Sequence, residues 1–465
     1  MMSWWRYISN PRDPERLAAL RRRERGFPED LQVPGQAIGS YTVGCGATHG
    51  VMERCNFGCT ACYLSSQANR QPPLPFEEVR NQLLQMRDCF GPGGNVQITS
   101  GEVTLLPAPD LARIIRAAKE LELSPMLMTH GDVLLHDPEY LDCLVREGGL
   151  SKLSIHIDIT QRGRKAGDCP QSEEGLNRVR SQMAGMLRQC RKRTGRKLKA
   201  ATTMTVNGQN LSQLDAVLTW FRQNLDSFRM ISFQPQAEVG RTRKGVGATA
   251  HQVWEALEAH LAMKLNPYPV LFGHPSCTRM ALLMAIETPG RQIVVEAVRR
   301  ENALDQRFMG RFLDSFRGVV VNDRGFVELS AKVLGVLLRQ PLWLWWLPAY
   351  AVRRSWQERA AIPGLVKALL RGRLRIRPFA VVVHSFMSQA EIRTPIGRAR
   401  LDACAFKLPV NGRMVSMCEM NASGLREKTY LQKESGIRSQ ESGRREQDPV
   451  ASWQSRKHPI LKPEA

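Results

Sequence analysis

Between about residues 43 and 240, short apolar runs alternate with longer stretches in which apolar residues return every three or four positions. The runs "NVQITSGE" (95–102), "SPMLMTHG" (124–131), "KLSIHID" (152–158), "KAATTMTV" (199–206) and "FRMISFQP" (228–235) predict strands closed off by turn residues. A further strand leading into residues 52–66 would make six. Between them, Leu111, Ile114, Ile115, Ala118 and Leu121 repeat at helical spacing, as do Leu211, Leu214, Val217, Leu218, Phe221 and Leu225. Strands alternating with amphipathic helices pair in parallel through right-handed crossovers, so the fold class expected is α/β, an open sheet or partly closed barrel. Catalytic groups in such folds collect at the C-terminal ends of the strands.

The rhythm changes after Pro235. "AEVGRTRKGVGATA" reads as a Gly-rich basic linker, followed by a helix near 250–263 and then by Pro-punctuated loops, a Trp-rich stretch and the strand-like "PFAVVVHSF". The expected organisation is a basic, aromatic N-terminal extension at 1–42, a core domain at 43–240, a C-terminal α+β extension at 241–430 and a polar, disordered tail at 431–465.

Charge and cysteine usage narrow the partners. The chain of 465 residues carries a formal net charge of +22, which favours an anionic partner: nucleic acid, a phosphorylated substrate or an acidic membrane leaflet. The excess is concentrated after the tryptophans. Arg353, Arg354, Arg359, Lys367, Arg371, Arg373, Arg375 and Arg377 face Glu358 alone between residues 351 and 377. The longest apolar run, "PLWLWWLPAYAV" (341–352), is about half of the roughly 20 residues a membrane-spanning helix needs, so it suits a membrane surface rather than a crossing. Trp343, Trp345, Trp346 and Tyr350, with Trp4, Trp5 and Tyr7, form the aromatic set. No apolar run of signal-peptide type opens the sequence, and the expectation is a cytoplasmic protein, peripheral at the inner membrane face. Its 11 cysteines, spread through a long chain, point to reduced thiols or metal ligands rather than a disulfide scaffold.

The stretch "MERCNFGCTACYLSS" (52–66) places Cys55, Cys59 and Cys62 on one short loop. Three thiolates can hold a four-iron cluster and leave one iron without a protein ligand. Structural zinc usually takes four protein ligands, and small buried hydrophobes seldom sit among Asn, Gly and Thr; these are the alternatives to the cluster. The spacing CxxxCxxC resembles the signature of the radical S-adenosylmethionine (radical SAM) superfamily, and the six-strand rhythm resembles that superfamily's partial (β/α)6 barrel, over roughly residues 43–240.

The resemblance implies that Cys55, Cys59 and Cys62 bind a 4Fe-4S cluster, that SAM chelates the open iron, and that reductive cleavage of SAM yields a 5'-deoxyadenosyl radical that takes hydrogen from a substrate. It also implies an electron donor such as a ferredoxin or flavodoxin. Ser100, Gly101 and Glu102 stand where the family has a GGE turn; Glu102 is the candidate for the SAM amino group. Thr129, His130 and Gly131 match a TNG-like turn. Ser154, His156 and Asp158 alternate on one strand face and are candidates to line the barrel and meet the SAM ribose or carboxylate. Two departures are Ala61 before the third cysteine, where an aromatic residue is common, and "TVNGQN" in place of a fifth-strand GxIxGxxE.

A second set follows. Cys404 and Cys418 bracket Gly412 much as in the hairpins of the auxiliary-cluster extensions called twitch and SPASM domains, and Cys277 is a candidate third ligand for a second iron-sulfur cluster. Cys45, Cys89, Cys143, Cys169 and Cys190 read as isolated structural thiols. The overall pattern is similar to the group containing the molybdenum-cofactor cyclase and tetraether-lipid synthase, which favours a lipid or another hydrophobic small molecule as substrate. A peptide or RNA substrate is the enzymatic alternative, RNA less favoured for want of a recognised binding module. A metal-stabilised binding protein without activity is the alternative from another class.

Overall fold

The computed structural model describes residues 3–164, 170–242, 247–288, 290–322, 324–357 and 374–430. Cys169, Arg371, Arg373, part of the Gly-rich basic stretch and the tail at 431–465 lie outside the described residues.

Among the described residues, eleven strands form one sheet, in the order β11-β10-β1-β2-β3-β4-β5-β6-β9-β7-β8. They are β1 (Cys45–Ala47), β2 (Asn95–Ile98), β3 (Ser124–Thr129), β4 (Lys152–His156), β5 (Lys199–Val206), β6 (Phe228–Pro235), β7 (Thr278–Thr288), β8 (Arg291–Glu296), β9 (Arg375–His384), β10 (Phe406–Val410) and β11 (Arg413–Ser416). The first six run parallel in chain order. Two helices, α1 (Ser3–Ser9) and α2 (Pro14–Arg25), precede them. The crossovers are α3 (Phe76–Phe90), α4 (Ala108–Glu120), α5 (Asp132–His136), α6 (Pro138–Arg146), α7 (Glu173–Thr194) and α8 (Leu214–Gln223). Their apolar stripes meet the sheet in one continuous core containing Leu83, Leu111, Ile115, Leu141, Leu187 and Phe221. The fold is therefore the α/β partial barrel expected, with edge strands β11 and β8 left apart.

Local chemistry explains where the helices begin and end. In α7, Ser172 caps the first turn by accepting from the Gly175 N–H, Glu173 and Glu174 sit at the positive end of the dipole, and Arg191, Lys192 and Arg193 sit at the negative end. Gly195, at φ 67°, then takes the left-handed conformation that stops the helix. The helical pattern at 211–225 divides into a 3-10 turn, Leu211–Gln213, and α8.

Three predicted strands end early. The runs at 95–102, 124–131 and 152–158 stop at Ile98, Thr129 and His156. Their last residues leave the ladder to bond across the site instead: the Gly101 N–H donates to the Met52 carbonyl and the Glu102 N–H to the Arg54 carbonyl, both at 2.8 Å.

The remaining elements are α9 (Ala250–Leu261), α10 (Ala303–Ser315), α11 (Phe326–Arg339), α12 (Trp343–Gln357), α13 (Pro395–Asp402) and α14 (Met417–Ala422). The late strands enlarge the same sheet at both ends. β10 lies parallel to β1 with Phe406 opposite Cys45, and β11 returns through Asn411 and Gly412, both at positive φ as a tight hairpin turn demands. At the other side β9 pairs in parallel with β6, and β7 runs antiparallel to β9. Among the described residues, no helix is long and apolar enough to cross a membrane.

Candidate active site

The loop carrying Cys55, Cys59 and Cys62 has neither helix nor strand, and neighbouring loops pin it from two directions. The Gly58 N–H donates to the Arg162 carbonyl and the Thr60 N–H to the Thr160 carbonyl, both at 2.8 Å, from the segment after β4. On the other side the Cys62 N–H donates to Thr242 Oγ1 at 3.0 Å, and the Arg241 N–H bonds the Cys62 and Leu64 carbonyls at 2.9 Å. Gly240 makes that approach: a Cβ there would lie 2.3 Å from the Tyr63 carbonyl oxygen.

All three thiols line one cavity at the C-terminal ends of the strands, with about 1360 Å³ of empty space including its open mouth. Burial pushes the Cys55 thiol up to about 12 and raises Cys59 further, and the neighbouring thiols add to both shifts. Such sulfurs stay protonated unless a metal takes the proton's place. Donors are already aimed at them: the Phe57 N–H at Cys55 Sγ and Arg241 Nη2 at Cys62 Sγ, each at 3.4 Å. Among the described residues, no three His, Cys, Asp or Glu side chains form a group that could hold a single metal ion. The three cysteines line open space, and three thiol donors there fit a cluster of several irons bridged by sulfide.

Ser100, Gly101 and Glu102 turn into this cavity directly after β2. A Cβ at Gly101 would lie 2.2 Å from the Glu53 carbonyl oxygen, so the turn passes as close to the cysteine loop as backbones allow. The Glu102 carboxylate is buried and already engaged. Its Oε1 accepts from Thr129 Oγ1 at 2.7 Å, from Thr104 Oγ1 at 2.6 Å and from the Thr104 N–H at 3.1 Å, while Oε2 accepts from the His130 N–H at 2.9 Å. Thr104 and the Thr129–Gly131 turn therefore hold Glu102 in place together. The His130 ring stacks on Phe57 of the cysteine loop, centroids 3.7 Å apart, and burial keeps it below the usual imidazole range.

Ser154 and His156 reach the cavity wall. Asp158 does not: it is buried behind them and accepts from the Thr160 and Thr205 N–H groups and from His156 Nε2 at 2.6 Å. Burial alone would raise Asp158, but His156, Thr160 and Thr205 outweigh it and hold the carboxyl at about 2. Asp158 thus orients His156 from the rear. Ala61 and Tyr63 both line the cavity, and the Tyr63 hydroxyl donates to the Ser100 carbonyl.

Cys277 stands just before β7, Cys404 two residues before β10 and Cys418 in α14, near enough to influence one another electrostatically. Burial pushes Cys418 up to about 12 and raises Cys277, and Cys404 is near enough to add to both shifts. Arg400 Nε donates to Cys277 Sγ at 3.3 Å, the Met387 N–H to Cys418 Sγ at 3.4 Å and Ser416 Oγ to Cys404 Sγ at 3.2 Å. Of this set, Cys418 lines the same cavity as the first trio.

Several residues of the site carry no sequence signal. Arg241 and Thr242 fall in the stretch that reads as a linker, and Glu53, Arg426 and Tyr430 belong to no motif. Only their positions in the fold reveal them.

A family model described as "Radical SAM superfamily" matches residues 50–221. The 7,8-dihydro-6-hydroxymethylpterin dimethyltransferase of Methanocaldococcus jannaschii is 23% identical over 199 residues, 41% of this chain and 36% of that relative. The chain thus spans about a third of the relative's length. Solved structures of native anSMEcpe with bound AdoMet align at 12% identity and a TM-score of 0.34, covering 47% of this chain and 59% of theirs. With a peptide also bound, the figures are 12%, 0.35, 47% and 58%. The matched family implies a 4Fe-4S cluster and SAM, and the cysteine loop within the matched region has three thiol donors for the first. Residues 50–221 are thus similar to the radical SAM superfamily, and the loop bearing Cys55, Cys59 and Cys62 lies inside that matched region.

Proposed function

We propose that Cys55, Cys59 and Cys62 hold the cluster, and that SAM lies across the cavity between this loop and the strand ends bearing Ser100–Glu102, Ser154 and His156. The observation that carries the reading is that these groups, far apart in sequence, line one cavity. When bound and given one electron by a reductant, the cluster and SAM would supply radical chemistry for hydrogen abstraction from a substrate, with methionine released. The protein's part is orientation and shielding. The backbone bonds at Gly58, Thr60 and Cys62 fix the loop, Arg241 and the Phe57 N–H stabilise thiolate charge, and Phe386, Met387, Phe406 and Met417 give the cavity an apolar wall. That wall favours a substrate with an apolar part, a lipid or other hydrophobic small molecule; the matched pterin methyltransferase likewise bears a small molecule in its name. A peptide or RNA remains the alternative substrate.

Cys277, Cys404 and Cys418 would hold a second cluster beside the cavity, with Arg400 balancing thiolate charge. An electron carrier of the ferredoxin or flavodoxin type would reduce the first. The test is anaerobic reconstitution with iron and sulfide, then addition of strong reductant and SAM. Formation of 5'-deoxyadenosine is expected; a reducible cluster that neither binds nor cleaves SAM would sink the reading.

One surface supports a site of action at a membrane. In α12, Trp343, Trp346 and Tyr350 face α10: Trp343 and Tyr350 pack on Phe308, and Arg311 lies over Trp346. The opposite side, with Leu342, Leu344, Trp345 (79% exposed), Leu347 and Val352, is apolar and open. The sequence that follows α12's apolar stretch is basic, with Arg353, Arg354, Arg359, Lys367, Arg371 and Arg373, so we assign this face to an anionic bilayer. The protein should sediment with phosphatidylglycerol vesicles at low salt and not with phosphatidylcholine ones, and Leu344→Glu/Trp345→Glu should abolish retention. Equal retention of that variant would refute the assignment, as would concentration-dependent dimerisation lost in the variant without vesicle binding.

A further inference from the structure

Glu53 stands two residues before Cys55 and is 1% exposed, yet it does not line the cavity. Its carboxylate gathers donors from three segments. The Gly50 N–H (2.9 Å) comes from its own loop and Ser100 Oγ (2.6 Å) from the turn after β2, while Tyr430 Oη (2.7 Å) and Arg426 Nη1 (3.3 Å) come from the stretch after α14. Arg426, 2% exposed, also donates Nη2 to Asn421 Oδ1 at 2.9 Å and lies 5.1 Å from the centre of the Tyr63 ring. Tyr63 follows Cys62 and bonds the Ser100 carbonyl. One buried charge pair therefore touches both flanks of the cysteine loop and the turn beside it.

A buried ion pair is a poor stabiliser, since apolar side chains of similar volume often serve as well. What this one supplies is geometry. Resting on the site reading above, we infer that the segment from Met417 to Tyr430 is a clasp, in which Glu53 and Arg426 act as positioning residues that fix the cysteine loop against the Ser100 turn and so set how SAM is held. Neither residue touches the cavity, and each acts through Ser100 and Tyr63.

The test uses the full chain, reconstituted anaerobically, with iron content, SAM affinity and the electron paramagnetic resonance spectrum of the reduced protein with and without SAM as readouts. Glu53→Gln/Arg426→Met removes both charges together and so leaves no unpaired buried ion. This variant should keep its iron and thermal midpoint but bind SAM about tenfold more weakly or worse, in the range typical of lost outer-shell partners, with a smaller SAM-induced spectral change. Tyr430→Phe, which removes one donor and no charge, should move affinity and spectrum the same way by less. SAM affinity and spectra in both variants indistinguishable from the unsubstituted protein would overturn the clasp and leave the pair a packing element. If the unsubstituted protein takes up iron but shows no response to SAM, the site reading itself falls, and the inference with it.

Discussion

Replacing Cys55, Cys59 and Cys62 together by alanine should eliminate 5'-deoxyadenosine formation to the limit of detection while leaving the fold intact. The loop is held by the backbone bonds of Gly58, Thr60, Cys62 and Arg241, none of which needs a sulfur atom, so circular dichroism and the thermal midpoint of the apoprotein should barely change. Iron held at this loop would lose all three of its thiol ligands, and the second trio lies on different segments. The measurement is anaerobic reconstitution followed by iron analysis and chromatography of the SAM products. Cysteine-independent 5'-deoxyadenosine would separate the activity from this loop and refute the assignment.

The second large effect concerns Cys277, Cys404 and Cys418. Their joint replacement by alanine should cost about half of the iron if each trio carries one cluster of the same size. Cleavage of SAM without substrate should persist, since the first trio and the Ser100–Glu102 turn are untouched. Turnover of substrate should fall, because Cys418 lies on the cavity wall. Arg400 gives a finer probe: it is the cation beside Cys277, so Arg400→Gln should shift the potential of a cluster there downward by removing positive charge. Iron content unchanged in the triple variant would show that these thiols hold no metal.

The core of the fold was legible because it rests on local periodicity. Alternating apolar runs and helical stripes gave six strands in parallel and in order, and the cysteine spacing singled out a loop that lines the cavity. Legibility failed where a residue's role depends on a partner distant in the chain. Glu53 looks like any surface glutamate until Arg426 and Tyr430 reach it, and Arg241 looks like part of a basic linker until it meets Cys62. Glu102 illustrates an intermediate case. Its motif is readable, but its four hydrogen bonds to Thr104, Thr129 and His130 follow from how three turns meet at the strand ends. The ends of β2, β3 and β4 were overextended for the same reason: a strand stops where its backbone finds a better partner outside the ladder.

The placement of β10 beside β1 bears on how the protein is made. Residues that complete the wall next to the cysteine loop are synthesised after nearly all the rest: Phe406 pairs with Cys45, and Arg426 meets Glu53 across 373 positions of sequence. Contacts of such long range form late, and a nascent chain emerging from the ribosome must hold its first strand with a bare edge until then. Until residues 406–430 are in place, the cavity wall next to the cysteine loop is incomplete, because Phe406, Met417 and Cys418 all line it.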